Sequence, residues 1–144
     1  MTTVQTGLDQ LVASEARPLR GRCCGLLAHP ASVDRRLRHA VPLLHGLLGN
    51  ELRALLGPQH GLRGETQDNM IEWEGFADPD TGLPVHSLYG ETRKPTPEML
   101  ADIDTLVVDL QDVGARYYTF IWTMQLCIKA CMEQGKRVVV LDRP

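Results

Sequence analysis

Along the chain, apolar residues collect in short dense runs at residues 22–28, 51–56, 104–110 and 136–141. Such near-continuous apolar character, bounded by turn residues, predicts strands, that at 22–28 buried on both faces and that at 104–110 buried as well. Residues 84–89 read as a further extended stretch. Between the runs the spacing becomes helical. Residues 6–13 predict a short helix, with Thr6 as its cap, Asp9 three residues later, and Leu8, Leu11 and Val12 as an apolar stripe expected to lie on the domain as a lid. Residues 35–48 carry Leu37, Val41, Leu44, Leu47 and Leu48 at helical spacing, interrupted by Pro42, which should kink or restart the helix. Thr96 and Pro97 are start signals for a helix through Met99, Leu100 and Ile103. The longest helical pattern spans residues 117–134, with Phe120, Ile121, Met124, Ile128 and Cys131 along one side and Gly135 as its stop.

Strands alternating with helices predict an α/β fold: an open, mainly parallel sheet with helices on both faces, Rossmann-like in architecture. At 144 residues the chain suits one compact unit. We divide it into a helical lead-in over 1–20 and the Rossmann-like domain over 21–144. In such sheets ligands sit beyond the carboxyl ends of the strands. Residues 29–34, 59–63 and 112–116, together with Asp142, should therefore rim one crevice. Residues 65–83 are polar and aperiodic, with a turn signal at 78–82. A long irregular segment in a compact domain is more often functional than idle.

Composition narrows the partners. A formal net charge of −3 with both signs mixed supplies no basic field for nucleic acid. No run of eighteen apolar residues and no export signal is present, which predicts no membrane partner and a cytoplasmic location. The 4 cysteines, Cys23, Cys24, Cys127 and Cys131, match neither zinc spacing nor a disulfide framework, so buried free thiols are expected and no metal. Neither Gly-x-Gly-x-x-Gly nor a Walker-type phosphate loop occurs, and no cofactor is expected. A Gly-x-Ser-x-Gly nucleophile elbow is also missing.

The densest special-geometry stretch is Gly57-Pro58-Gln59-His60-Gly61-Leu62-Arg63-Gly64, directly after a strand. His60 is either an acid or base near neutral pH or the anchor of this turn. Asp112 follows another strand, beside Gly114, as a general acid, base or nucleophile, or as the cap of the next helix. Asp109 lies inside that strand, where a carboxylate satisfied by backbone or arginine is at least as good a reading as chemistry. Arg63, Arg116 and Tyr118 are placed to hold a polar ligand. Tyr89 and Trp73 offer ring faces for a sugar, or core contacts. Glu65 and Asp68 read as solvated loop carboxylates first.

Taken together, residues 57–64, Thr81-Gly82-Leu83-Pro84-Val85-His86-Ser87-Leu88-Tyr89-Gly90, Lys94-Pro95-Thr96, Asp109-Leu110-Gln111-Asp112-Val113-Gly114-Ala115-Arg116-Tyr117-Tyr118-Thr119 and Leu141-Asp142-Arg143-Pro144 resemble the exo-β-N-acetylmuramidase family of peptidoglycan recycling, glycoside hydrolase family 171. The resemblance implies a Rossmann-like N-terminal domain that meets a second, C-terminal domain at a cleft. It also implies release of terminal N-acetylmuramic acid from peptidoglycan fragments. On that reading Asp112, His60 and Gln59 hold the catalytic positions, and Arg63, Tyr89, Arg116 and Tyr118 bind the muramyl sugar. One departure stands out: many relatives have Gly-Pro-Glu-His-Gly where this chain has Gly57-Pro58-Gln59-His60-Gly61. That glutamate is the family's leading candidate for a catalytic acid, and Gln59 has no carboxyl proton to give. A muramyl-binding or regulatory role without turnover is therefore the alternative implied.

Overall fold

The computed structural model describes residues 4–66 and 71–143. Its strands are β1 (Cys24–Ala28), β2 (Leu52–Gly57), β3 (Phe76–Ala77), β4 (Pro84–Ser87), β5 (Thr105–Asp109) and β6 (Arg137–Val140), and its α-helices are α1 (Gly7–Ala13), α2 (Ala40–Leu48) and α3 (Phe120–Glu133). The strands form one sheet in the order β3-β4-β2-β1-β5-β6, parallel throughout except for β3 against β4. Without β3, the chain-order positions of the strands read 3-2-1-4-5 across the sheet, and the direction of winding reverses between β1 and β5. The expected α/β architecture is the one observed.

Alternation along the strands sends side chains to two cores. Cys24, Leu26, Leu55 and Val107 face α1 and α2, while Leu27, Leu56, Leu106 and Val108 face α3. Both faces are covered, as a parallel sheet requires. α1 is part of the first core and not a lid. Leu8 and Leu11 are buried in it, and the Gly7 amide donates to the Asp142 carbonyl at 2.7 Å. Its start is the predicted capping box: Thr6 Oγ1 accepts from the Asp9 amide at 3.1 Å, and the Thr6 amide donates to Asp9 Oδ2 at 3.1 Å.

Three helix expectations need correction. The helix expected over 35–48 begins at Ala40, because the Asp34 carboxylate accepts from the Arg36 and Arg38 amides, each at 2.9 Å, and turns the chain there. Leu37 consequently sits at φ 60° and is 82% exposed instead of joining the core. Pro42 falls in the first turn of α2, where its missing N–H costs nothing. Residues 97–103 form turns closed by bonds three residues apart, such as Leu100 N to Pro97 O at 3.2 Å. So short a segment before β5 is below the length at which a helix nucleates readily. Leu100 and Ile103 still enter the core. α3 begins at Phe120, leaving Tyr117 and Tyr118 on the preceding loop, and Ile121 points outward at 51% exposure.

Candidate functional site

The reversal between β1 and β5 places the carboxyl ends of those strands side by side, and a polar network fills the gap. Arg143, beyond β6, donates to Asp109 Oδ1 from Nη2 at 2.8 Å and from Nε at 3.2 Å, and from Nη1 to the Val33 carbonyl at 3.2 Å. The Ser32 hydroxyl donates to the Asp109 carbonyl and accepts from the His29 amide at 2.9 Å. His29 Nε2 accepts from the Gln111 amide at 2.9 Å, which puts the ring proton on Nδ1. His39 Nδ1 accepts from the Val41 amide at 3.2 Å, so its Nε2 is the protonated nitrogen that reaches the His29 carbonyl at 3.0 Å. Burial pushes the His29 imidazole down to about 4, with Arg143 and His39 adding repulsion. Burial raises Asp109 despite its bonds to Arg143. Its Oδ2 is buried without a hydrogen-bond partner among the described residues.

The Gly57–Gly64 stretch leaves β2 as a tight turn. At Gly57 a Cβ would lie 2.8 Å from the Trp73 ring and 2.9 Å from the Leu62 nitrogen, so only glycine admits the packing. His60 itself takes φ 71°, a conformation rare for a residue with a side chain. Its Nδ1 donates to the Thr66 carbonyl at 2.9 Å, which anchors the turn and leaves Nε2 to accept or take up a proton. His60, Arg63, Gly64 and Thr66 line a cleft of about 310 Å³ with Pro30 from the end of β1. Gln59 Oε1 accepts from Thr119 Oγ1 at 3.1 Å, which ties this turn to the loop after β5.

Arg63 does not project freely. Its guanidinium pairs with the buried Asp78 and the exposed Asp80, each at 2.8 Å, closing residues 78–82 onto the turn. Burial opposes ionisation of Asp78, but bonds from Thr81 and the Arg63 charge outweigh it and hold the carboxyl below its usual range. Asp112 is exposed and accepts from the Gly114 amide at 3.1 Å. It closes its own turn and does not cap α3, whose capping position is Thr119. Arg116 and Tyr118 are exposed on the same loop, and Arg116 has neither an ion pair nor a hydrogen-bonded side chain among the described residues. Tyr89 is half-buried, with the Arg93 guanidinium 3.9 Å above its ring. Trp73 is a core residue whose Nε1 donates to the Pro58 carbonyl at 3.2 Å. Glu65 accepts from the Arg63 amide at 3.0 Å, and Asp68 lies outside the described residues.

The structure thus brings Gln59, His60 and the loop carrying Asp112, Arg116 and Tyr118 to one end of the sheet, while Tyr89 stands beside Trp73. The switch-point set of His29, Ser32 and Arg143 escaped the residue-level reading of chemistry. The available signal was a charge at the end of each of two apolar runs, Asp109 and Arg143, since buried charges need partners. A cavity of about 980 Å³ lies elsewhere and is bordered by Glu72, Glu74 and Glu91 beside His86. Glu72 is paired with Arg93 at 3.0 Å, so Glu74 and Glu91 are the carboxylates there that would repel an acidic sugar. Among the described residues no group of three His, Cys, Asp or Glu side chains is arranged to hold a metal.

Comparison with known proteins gives the chain's family and its fold. Residues 24–144 match the family model described as exo-beta-N-acetylmuramidase NamZ, N-terminal. The chain is 46% identical over 141 residues to the peptidoglycan beta-N-acetylmuramidase NamZ of Bacillus subtilis, covering 98% of this chain and 34% of that protein. It also resembles two crystal structures of DUF1343 family proteins from Bacteroides fragilis. One has a TM-score of 0.86 at 46% identity over 97% of this chain, and the other 0.76 at 30% identity over 99%. The chain spans about a third of the length of each relative, 34% and 35% of the two crystallised proteins. With the family's motifs converging on one end of a Rossmann-like sheet, the chain belongs to the exo-β-N-acetylmuramidase NamZ N-terminal family.

Proposed function

We propose that this domain forms the sugar-binding wall of an exo-acting β-N-acetylmuramidase and takes the terminal N-acetylmuramic acid of a peptidoglycan fragment beyond the carboxyl ends of β1, β2 and β5. The observation that carries the reading is the bond from Thr119 to Gln59, which joins two motif loops 60 residues apart at the crevice. Arg116 is the cation for the lactyl carboxylate, since Arg63 is already neutralised by Asp78 and Asp80. Tyr118 offers the more open ring, because Arg93 covers one face of Tyr89. Hydrolysis needs a group to protonate the leaving oxygen and a second to activate water or attack the anomeric carbon. Asp112 is the exposed carboxylate on the loop tied to Gln59, and His60 presents Nε2 from the turn. The second domain that the family resemblance implies closes the crevice over these groups.

A second reading has its own observation. Gln59 is an amide at the position of the family's candidate acid, so the domain binds the sugar without turning it over. Calorimetry with N-acetylmuramic acid and hydrolysis of a chromogenic N-acetylmuramide distinguish the two. Binding with turnover supports the enzyme, binding alone supports the second reading, and neither binding nor turnover, even with the rest of a relative supplied, rejects both. Gln59→Glu is expected to restore or raise hydrolysis, because Thr119 would hold one carboxyl oxygen and leave the other to carry the proton. The cytoplasm is the compartment that fits. All 4 cysteines are free, and burial raises the Cys24 thiol to about 11 and Cys127 to about 12, as expected of inert reduced thiols. None of the described helices is long and apolar enough to cross a membrane.

A further inference from the structure

We propose that His29 is a ligand-binding residue of the switch-point crevice, its Nδ1–H donating to the acetamido carbonyl oxygen of the terminal N-acetyl sugar. The contact rests on the sugar-binding reading above and adds to it the group that recognises the N-acetyl substituent.

His29 follows β1 directly, and its other polar atoms are already committed. Its amide donates to Ser32 Oγ at 2.9 Å, its carbonyl accepts from His39 Nε2 at 3.0 Å, and its ring Nε2 accepts from the Gln111 amide, beyond β5, at 2.9 Å. The Phe120 ring packs on the imidazole with centroids 4.6 Å apart. At 5% exposure and with these contacts, the ring is held in one orientation.

One ring atom is left over. With Nε2 accepting, the proton sits on Nδ1, which has no hydrogen-bond partner among the described residues. Such a donor must meet either protein or solvent. The buried side-chain atoms without partners among the described residues are Glu51 Oε2, Thr66 Oγ1 and Asp109 Oδ2, so Nδ1 opens to solvent. It does so at the carboxyl end of β1, one residue before Pro30, which lines the cleft shared with His60 and Arg63.

The chemistry of this donor selects its acceptor. Burial, with repulsion from Arg143 and His39, holds the imidazole down to about 4, so near neutral pH it is uncharged and has a single N–H to give. The Arg143 guanidinium is taken up by Asp109 and the Val33 carbonyl, which leaves the imidazole as the open donor of this network. A donor-only group satisfies a carbonyl oxygen, whereas a sugar hydroxyl brings a proton that this imidazole cannot accept. On an N-acetylated sugar the acetamido oxygen is therefore the match.

Two measurements on the whole chain test the contact. In protein with isotope-labelled histidine ring nitrogens, the NMR signal of His29 Nδ1–H is expected to shift on addition of N-acetylmuramic acid, and its exchange with water to slow at least roughly tenfold. Muramic acid, which carries a bare amine in place of the acetamido group, should leave that signal where it was. Calorimetry then compares the two sugars across variants. Loss of the acetyl group should weaken Kd by roughly tenfold more in the unsubstituted chain than in His29→Leu, while His29→Gln, whose amide supplies both an acceptor and a donor, keeps the discrimination. The NMR measurement needs no substitution, so it decides the matter even where His29→Leu fails to fold. An unmoved Nδ1–H signal in a chain saturated with N-acetylmuramic acid, or equal acetyl discrimination in His29→Leu, overturns the contact and spares the sugar-binding reading. Absence of any N-acetylmuramic acid binding overturns both.

Discussion

Arg63 and Arg116 look alike in the sequence, each a cation beside a glycine-bearing turn, and the structure gives them different work. Arg63 is 40% exposed but bonded to the fully buried Asp78, so its removal leaves a buried carboxylate short of a donor. Arg63→Ala is expected to destabilise the fold by about 1–3 kcal/mol, read from urea unfolding. Arg116→Ala should leave unfolding unchanged and weaken N-acetylmuramic acid binding by roughly tenfold or more in calorimetry, as a charge-assisted bond is worth about 1.5–3 kcal/mol. A loss of stability in Arg116→Ala with intact binding would reverse the assignment. Nothing in the local sequence separates the two arginines. The partner that neutralises Arg63 stands 15 residues away across an aperiodic loop.

At the scale of elements, local signals succeeded where one contact range decided the outcome. The capping box at Thr6 needs only residues 6–9, and it formed. Thr6→Ala should cost about 1 kcal/mol, visible as a lower Tm. The same kind of signal failed at residues 96–103, because the next strand follows too soon and Ile103 must seat against Gly25, where a Cβ would come within 2.8 Å of it. Leu37 was lost to α2 because Asp34 Oδ1 accepts from the amides on both sides of it, those of Arg36 and Arg38, a competition that hydrophobic spacing does not register. Gly57 shows how an element fixes the site: β2 must end without a side chain to let Trp73 and the turn backbone close in. Gly57→Ala is expected to cost about 1–3 kcal/mol by overpacking and to disturb the Gln59–Thr119 bond, which calorimetry would register as weakened sugar binding.

Across the whole molecule, the switch-point network makes stability depend on pH. The His29 imidazole titrates near 6.5 when exposed and about 4 when folded, so the unfolded chain takes up its proton first as pH falls. The stabilisation is complete above about 6.5 and is lost between about 6.5 and 4, amounting to about 3 kcal/mol. Burial lowers His39 and His86 as well, with the same sign, whereas the raised Asp109 opposes them because the folded state then binds its proton more readily. His29→Gln, which keeps an acceptor for the Gln111 amide, should flatten the denaturation midpoint across that window. An unchanged pH profile would remove His29 as the source.

The sequence by itself determined the α/β alternation, the four parallel strands it marked as apolar runs, and the family motifs at their carboxyl ends. Those features depend on periodicity and on residue order, which a linear chain displays. Only the tertiary structure decided which charges face each other. Asp109 and Arg143 meet across the reversal of strand order, and Gln59 meets Thr119 because β2 and β5 flank β1 on either side. Strand order is set by how crossovers pack against both faces of the sheet, and no local window of sequence carries that information.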